Sequence, residues 1–306
     1  MAHDHAHAHA HAHADPDYNR AFAIGIALNT AFVLTELYFG NRAHSLALFA
    51  DAGHNFGDVL GLLLAWGASC LVRQNPTARR TYGLRRSSIL AAALNASLLL
   101  IAVGVIGWGA IDRMFHPGPV GGATVIVVAA AGVVINTFTA LLFMSGRKDD
   151  LNIRGAFLHM AADAAVSLGV VVAGIVIYFT GWVWVDPAIS LLIAAVITIG
   201  AWDVLRRSVE LSLDAVPDRI DPSSVRAFLC GLPGVVEVHD LHIWAMSTTE
   251  TALTVHLVRP GAGVDDDWLE RVSEELHERF HIEHATIQIE SGDGSQPCRL
   301  APEHVV

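Results

Sequence analysis

His54-Asn55-Phe56-Gly57-Asp58 and His159-Met160-Ala161-Ala162-Asp163 each place a histidine four residues before an aspartate, inside a long apolar run. On a helix, side chains at i and i+4 leave the same face one turn apart. Ionisable groups at membrane depth are costly. They face a bundle interior or an aqueous cavity, and there they mark transport pathways. Two such pairs meeting across two helices supply two imidazole nitrogens and two carboxylates, a four-ligand set suited to Zn2+. In the blander alternative each histidine only neutralises its own aspartate, but recurrence at identical spacing on two spans argues for a shared site. Neutral imidazole both binds metal and accepts protons, so the two compete for the same atoms. That competition can couple metal export to proton entry.

Composition places these motifs in a membrane. The chain has 306 residues, 53% of them hydrophobic and only 16% charged, where a soluble chain carries about 25% charged residues. Six stretches are long enough to cross about 30 Å of hydrocarbon as helices: 21–40, 45–72, 88–112, 121–145, 153–180 and 183–205. Apolar runs of this length do not recur in soluble domains. If the helices alternate, Arg20, Arg73, Arg79, Arg80, Arg85, Arg86, Arg147, Lys148, Arg154, Arg206 and Arg207 fall on one side, with only Arg42 and Arg113 on the other. The positive-inside rule then puts both termini in the cytoplasm. The net charge of -11, with the acid concentrated in the last hundred residues, excludes nucleic acid as a partner. Cys70, Cys230 and Cys298 show no disulfide or CxxC spacing, and no cleavable signal peptide is evident.

From about residue 209 the pattern changes. Asp221-Pro222-Ser223-Ser224 starts a helix, 235–244 and 251–258 alternate like strands around the polar turn Ser247 to Glu250, 265–280 is an amphipathic helix, and 285–290 is a third strand. The expected architecture is an α-helical membrane protein of six transmembrane helices followed by a cytoplasmic, ferredoxin-like α+β domain of order αββαβ. The expected domains are a His-rich disordered N-terminus (1–19), the membrane domain (20–208), the cytoplasmic domain (209–291) and a disordered tail (292–306). The alternating histidines at 3, 5, 7, 9, 11 and 13 build no core and read as weak, exchangeable metal capture, with an engineered tag as the alternative. The Arg-rich loop from Arg73 to Arg86 has no acidic or histidine residue. No metal site is expected there, and Arg73, Arg79 and Arg80 are read as contacting anionic lipid. Asp51, two turns before Asp58, is an accessory candidate on the cavity-facing side. Glu36 and Asn136 are membrane-buried candidates for cross-helix hydrogen bonding or for orienting the ligands.

The stretch Ser45 to Asp58 resembles the second-helix signature of the cation diffusion facilitator family. Tyr82-Gly83-Leu84-Arg85-Arg86 resembles the opening of its third span, His159 to Asp163 its fifth, and Gly234 to Trp244 the first strand of its cytoplasmic domain. The resemblance runs from residue 20 to 291. It implies a homodimeric inner-membrane exporter that exchanges metal for protons by alternating access. His54, Asp58, His159 and Asp163 would form the transport site, with Zn2+ as the usual cargo and Co2+, Cd2+ or Fe2+ as alternatives. It also implies a regulatory Zn2+ site lined by His239, His256, Gln288 and Glu290, with His284 and Asp240 nearby. Gln288 stands where some members have histidine, which weakens that site and leaves one metal in place of two. A non-transporting metal sensor is a remaining alternative. A metalloenzyme needs an open coordination position, which four protein ligands do not leave.

Overall fold

The computed structural model describes residues 16–143, 151–261, 266–292 and 298–300. The His3–His13 run, Arg147, Lys148 and most of the tail lie outside the described residues. Six long helices come first: α1 (Pro16–Ala43), α2 (Leu46–Val72), α3 (Ser87–Phe115), α4 (Gly122–Phe143), α5 (Leu151–Thr180) and α6 (Val185–Ser212). Then follow α7 (Pro222–Cys230), β1 (Glu237–Ala245), β2 (Thr251–Val258), α8 (Asp266–Phe280) and β3 (His284–Glu290). Among the described residues, five helices, α2 to α6, are long and apolar enough to cross a membrane. The expected first span forms a helix of 28 residues, α1; the five are counted among the described residues alone.

The described residues divide into two compact units. The first comprises 16–60 and 98–199. Leu48, Val125 and Val170 are fully buried in its core. In lipid no hydrophobic force drives helices together, so close packing of small residues carries the association. Here α4 meets α5 at glycines: a Cβ on Gly122 would stand 3.0 Å from the Tyr178 backbone nitrogen, and one on Gly174 would stand 2.9 Å from Ile126 Cγ1 and 3.1 Å from its backbone nitrogen. Gly181, at φ +68°, ends α5 by donating its N–H to the Ile177 carbonyl at 2.9 Å, as a left-handed C-terminal cap does. Trp182 and Trp184 stack in the following turn, an arrangement suited to a membrane interface.

The second unit comprises 61–97 and 200 onward. Its three-stranded sheet has the order β1-β2-β3, with β1 antiparallel and β3 parallel to the central β2. The parallel pair requires a crossover, and α8 supplies it. Trp268, Val272 and Leu276 recur every fourth residue along α8 and are buried against Leu229, Leu253 and Leu257 in one core. The expected αββαβ order is the order observed. Arg85 pairs with Glu250 and Arg86 with Asp214, while Ser88 Oγ accepts the Thr248 N–H at 3.1 Å. Asp221 caps α7, accepting from the Ser224 hydroxyl at 2.6 Å and the Ser223 amide at 3.1 Å. Those bonds hold its carboxyl below the usual range.

Three outcomes follow. Gly174→Ala forces α4 backbone to move and should cost on the order of 1–3 kcal/mol, seen as a lower melting temperature in detergent. Gly104→Ala, with open space at its Cβ, should be neutral or mildly stabilising. Because folding lowers the Asp221 pKa, its cap contributes fully above the ordinary carboxylate value of about 3.9 and is lost as pH falls through the folded value. Asp221→Asn should therefore blunt the acid sensitivity of the cytoplasmic domain, read by limited proteolysis against pH.

Candidate functional site

Helix α2 shows three different faces at successive residues. Gly53 and Gly57 lie against α3, where added Cβ atoms would come within 3.1 Å of Ile106 Cδ1 and 2.7 Å of Leu99 Cδ1. One residue further round, His54 and Asp58 turn toward α5. Asp51 and Asn55, both 1% exposed, turn toward Glu36 on α1 and Ser167 on α5. A 100° step per residue produces this division of labour, and the paired glycines set the rotation.

Across α2 and α5 the motif residues pair diagonally. His54 Nε2 stands 3.0 Å from Asp163 Oδ1, and His159 Nε2 stands 3.3 Å from Asp58 Oδ1 and 3.8 Å from Asp163 Oδ2. Each histidine thus bonds the aspartate of the other helix. His54, Asp58 and Asp163 bring ligand atoms within 4.8 Å of one another. His159 sits beside that trio, its ring centroid 6.2 Å from that of His54. Oδ2 of Asp58 and Oδ2 of Asp163 are buried without a hydrogen-bond partner. A cation between the carboxylates would satisfy them both. The Asp163 side chain is 2% exposed and that of His159 45%, so the group is most open at His159.

The three accessory candidates are all buried: Glu36 and Asn136 at 0% and Asp51 at 1%. Asn55 Nδ2 donates to Glu36 Oε2 at 3.1 Å and Ser167 Oγ to Asp51 Oδ2 at 3.0 Å. The remaining oxygens, Glu36 Oε1 and Asp51 Oδ1, have no hydrogen-bond partner. Both amide atoms of Asn136 are likewise unpaired. Asp186, absent from the sequence reading, is fully buried at the start of α6 and caps α2 from outside. It accepts from Ser45 Oγ at 2.5 Å and from the Leu46 and Ala47 amides at 2.8 and 3.3 Å, with Arg113 3.7 Å away. The start of the ligand-bearing helix is pinned by a carboxylate from another span.

In the cytoplasmic unit the sheet register assembles a second group. His239, His256 and Gln288 form one row across β1, β2 and β3, and Glu290 lies one step along the same face of β3. Glu290 Oε1 is 3.2 Å from His256 Nδ1, and its Oε2 is 3.4 Å from His239 Nε2. Burial pushes the Glu290 carboxyl up, but hydrogen bonds from the Cys298 thiol and the Gln288 amide, with the two imidazoles, hold it below the usual range. A bulge between His239 and His242 leaves Asp240 at φ +50°. Its carboxylate lies 2.9 Å from His242 Nε2 and 3.4 Å from His256 Nε2. One expected member stands apart. His284 begins β3 opposite Ala252, exposed and edge-on to the Tyr82 ring, because four residues of strand carry it about 13 Å from Gln288. Gln288 turns its amide to Glu290 at 3.0 Å and acts on the carboxylate. Cys298, unassigned from sequence, lies 3.5 Å from His256 Nδ1.

The family model of the cation efflux transmembrane domain matches residues 22–211, and that of the cation efflux protein cytoplasmic domain matches residues 217–292. The chain is 36% identical to the metal cation efflux system protein CzcD of Cupriavidus metallidurans, covering 92% of this chain and 88% of that protein. It is 35% identical to the zinc transporter ZitB of Escherichia coli, over 97% and 94% of the two chains. It is 34% identical to a cadmium, cobalt and zinc/H(+)-K(+) antiporter of Bacillus subtilis, over 89% of each.

Asp186→Ala leaves the Ser45 hydroxyl and two α2 amides without their acceptor. At about 1–3 kcal/mol for each unsatisfied buried donor, the variant should melt markedly lower in detergent. Asp186→Asn, which keeps one acceptor oxygen, should fall between the two. Equal melting of all three forms would show that α2 does not depend on this cap.

Proposed function

Because this chain belongs to the cation efflux family, the cation diffusion facilitators, we propose that it exports Zn2+ in exchange for protons through His54, Asp58, His159 and Asp163. It is a multi-pass membrane protein and a metal cation transporter, not an enzyme. The observation that carries the proposal is the diagonal pairing of the two histidines with the two aspartates across α2 and α5. Two protonated imidazoles facing two carboxylates form a neutral group without metal. One Zn2+ with the same carboxylates and two neutral imidazoles is equally neutral. The site can therefore trade protons for a cation at constant charge, which keeps the desolvation cost of either state low.

The rest of the reading follows from that exchange. Cytoplasmic Zn2+ displaces the imidazole protons, and protons entering from the opposite, more acidic side displace the metal there. The excess of basic residues on one side supports an inner-membrane protein with cytoplasmic termini. The cytoplasmic domain supports a homodimer with a regulatory metal at His239, His256 and Glu290. Near the transport site, Glu36 and Asp51 brace α2 against α1 and α5, and Asn136 is a buried accessory group on α4. The nitrogen and carboxylate ligands also accept Co2+ and Cd2+, which the name of the Bacillus relative supports as secondary cargo.

Reconstituted into proteoliposomes, the protein should accumulate zinc against its gradient when an outwardly directed proton gradient is imposed. A protonophore should bring the two sides to equilibrium. His54→Ala and Asp163→Ala should reduce flux to the level of protein-free liposomes, with dimeric elution unchanged on size exclusion. His239→Ala should alter the zinc dependence of the rate and preserve flux at saturating zinc. Normal flux in either ligand variant would remove the four-ligand site.

A further inference from the structure

We propose that the thiolate of Cys298 is the fourth ligand of the cytoplasmic metal site, completing with His239, His256 and Glu290 a compact site for a soft divalent cation such as Zn2+ or Cd2+. This rests on the reading above that the cytoplasmic domain binds metal, and it identifies which group replaces the missing imidazole at Gln288.

Four observations carry it. Ligand atoms of His239, His256, Glu290 and Cys298 all lie within 4.8 Å of one another. Tetrahedral zinc, with bonds of about 2.0–2.3 Å, sets its ligands roughly 3.3–3.6 Å apart. The Cys298 Sγ to His256 Nδ1 distance of 3.5 Å, and the Glu290 distances of 3.2 Å to His256 and 3.4 Å to His239, match that spacing. His239 is 5% exposed, and neither of its ring nitrogens has a hydrogen-bond partner; Glu237 and Glu290 approach within 3.4 Å but out of alignment. A buried imidazole without a hydrogen-bond partner, set in this cluster, is a donor that a cation would satisfy.

The surroundings also orient the ligands. Asp240 Oδ2 lies 3.4 Å from His256 Nε2, the outer carboxylate that fixes a ligating imidazole and turns its other nitrogen inward. Nδ1 of His256 accordingly faces Glu290 and Cys298. Gln288 donates to Glu290 Oε1 at 3.0 Å, which holds the carboxylate in place. Cys70 and Cys230 are exposed, whereas Cys298 lies against this cluster. When metal binds, the thiol proton leaves to solvent as the sulfur–metal bond forms. A thiolate in the set favours zinc and cadmium over magnesium, calcium and manganese.

The test uses the full-length protein in detergent, loaded with Co2+ and followed by absorption and by equilibrium dialysis. With Cys70→Ser and Cys230→Ser combined, so that Cys298 is the sole cysteine, the near-ultraviolet sulfur-to-cobalt charge-transfer band should be present. In Cys298→Ser it should be absent, and affinity at that site should fall at least about tenfold, the lower end of what even outer partners of a metal cost. His256→Ala should lose the band together with one bound ion per chain. A band that survives Cys298→Ser would overturn the assignment. So would the loss of an ion in His256→Ala with no sulfur band in any form; the regulatory reading would then stand without Cys298. If His256→Ala binds as many ions as the parent, the regulatory reading itself fails.

Discussion

A charge buried in hydrocarbon survives only beside a partner that cancels it, and that constraint organises the membrane unit. Among the described residues, its buried carboxylates each meet a histidine or a hydrogen-bond donor from another helix. His54 meets Asp163 and His159 meets Asp58 between α2 and α5. Glu36 on α1 takes a hydrogen bond from Asn55 on α2, and Asp186 on α6 takes three from the start of α2. Helix α2 is the common member. Its glycine face, its ligand face and its amide face are one residue apart, so a rotation of a single step would break all three sets together. Ordinary apolar packing does not enforce such a rotation in lipid; these polar contacts and the close approach at Gly53 and Gly57 do.

The cytoplasmic group is assembled by a different device. Hydrogen-bond register sets His239 beside His256 and His256 beside Gln288, so the backbone ladder alone fixes this row of side chains. The bulge after His239 adds Asp240 to the same cluster, at a backbone angle that asparagine and aspartate tolerate better than most residues. The two candidate centres thus differ in chemistry. The membrane group pairs two imidazoles with two carboxylates. The cytoplasmic group includes a buried imidazole with no other partner, which suits retention.

Much of this was legible in the sequence, for reasons that can be named. Hydrophobic run length identifies the helices, and the i, i+4 spacing of His54 with Asp58 and of His159 with Asp163 puts each pair on one face. Strand alternation and the Asp221-Pro222 start yield the order of the small domain. What escaped depends on distances that no local pattern encodes. Asp186 sits in the first turn of an ordinary apolar helix, and only the fold brings it to Ser45, 141 residues away. Ser167 and Asn55 look like tolerated polar residues until their carboxylate partners are placed. His284 is four residues from Gln288 in sequence, yet strand rise separates them. Cys298 follows a glycine- and serine-containing stretch with no strand or helix signal, so its approach to His256 has no sequence signature.

The central claim is that one cation is held by two imidazoles and two carboxylates drawn from α2 and α5. X-ray absorption at the zinc edge, on protein carrying one equivalent of zinc and alanine at 239 and 256, tests it most directly. The account predicts four nitrogen and oxygen neighbours at about 2.0–2.1 Å, with scattering from two imidazoles that falls to one when His159 is replaced. A six-oxygen shell, or a spectrum indifferent to His159, would contradict it.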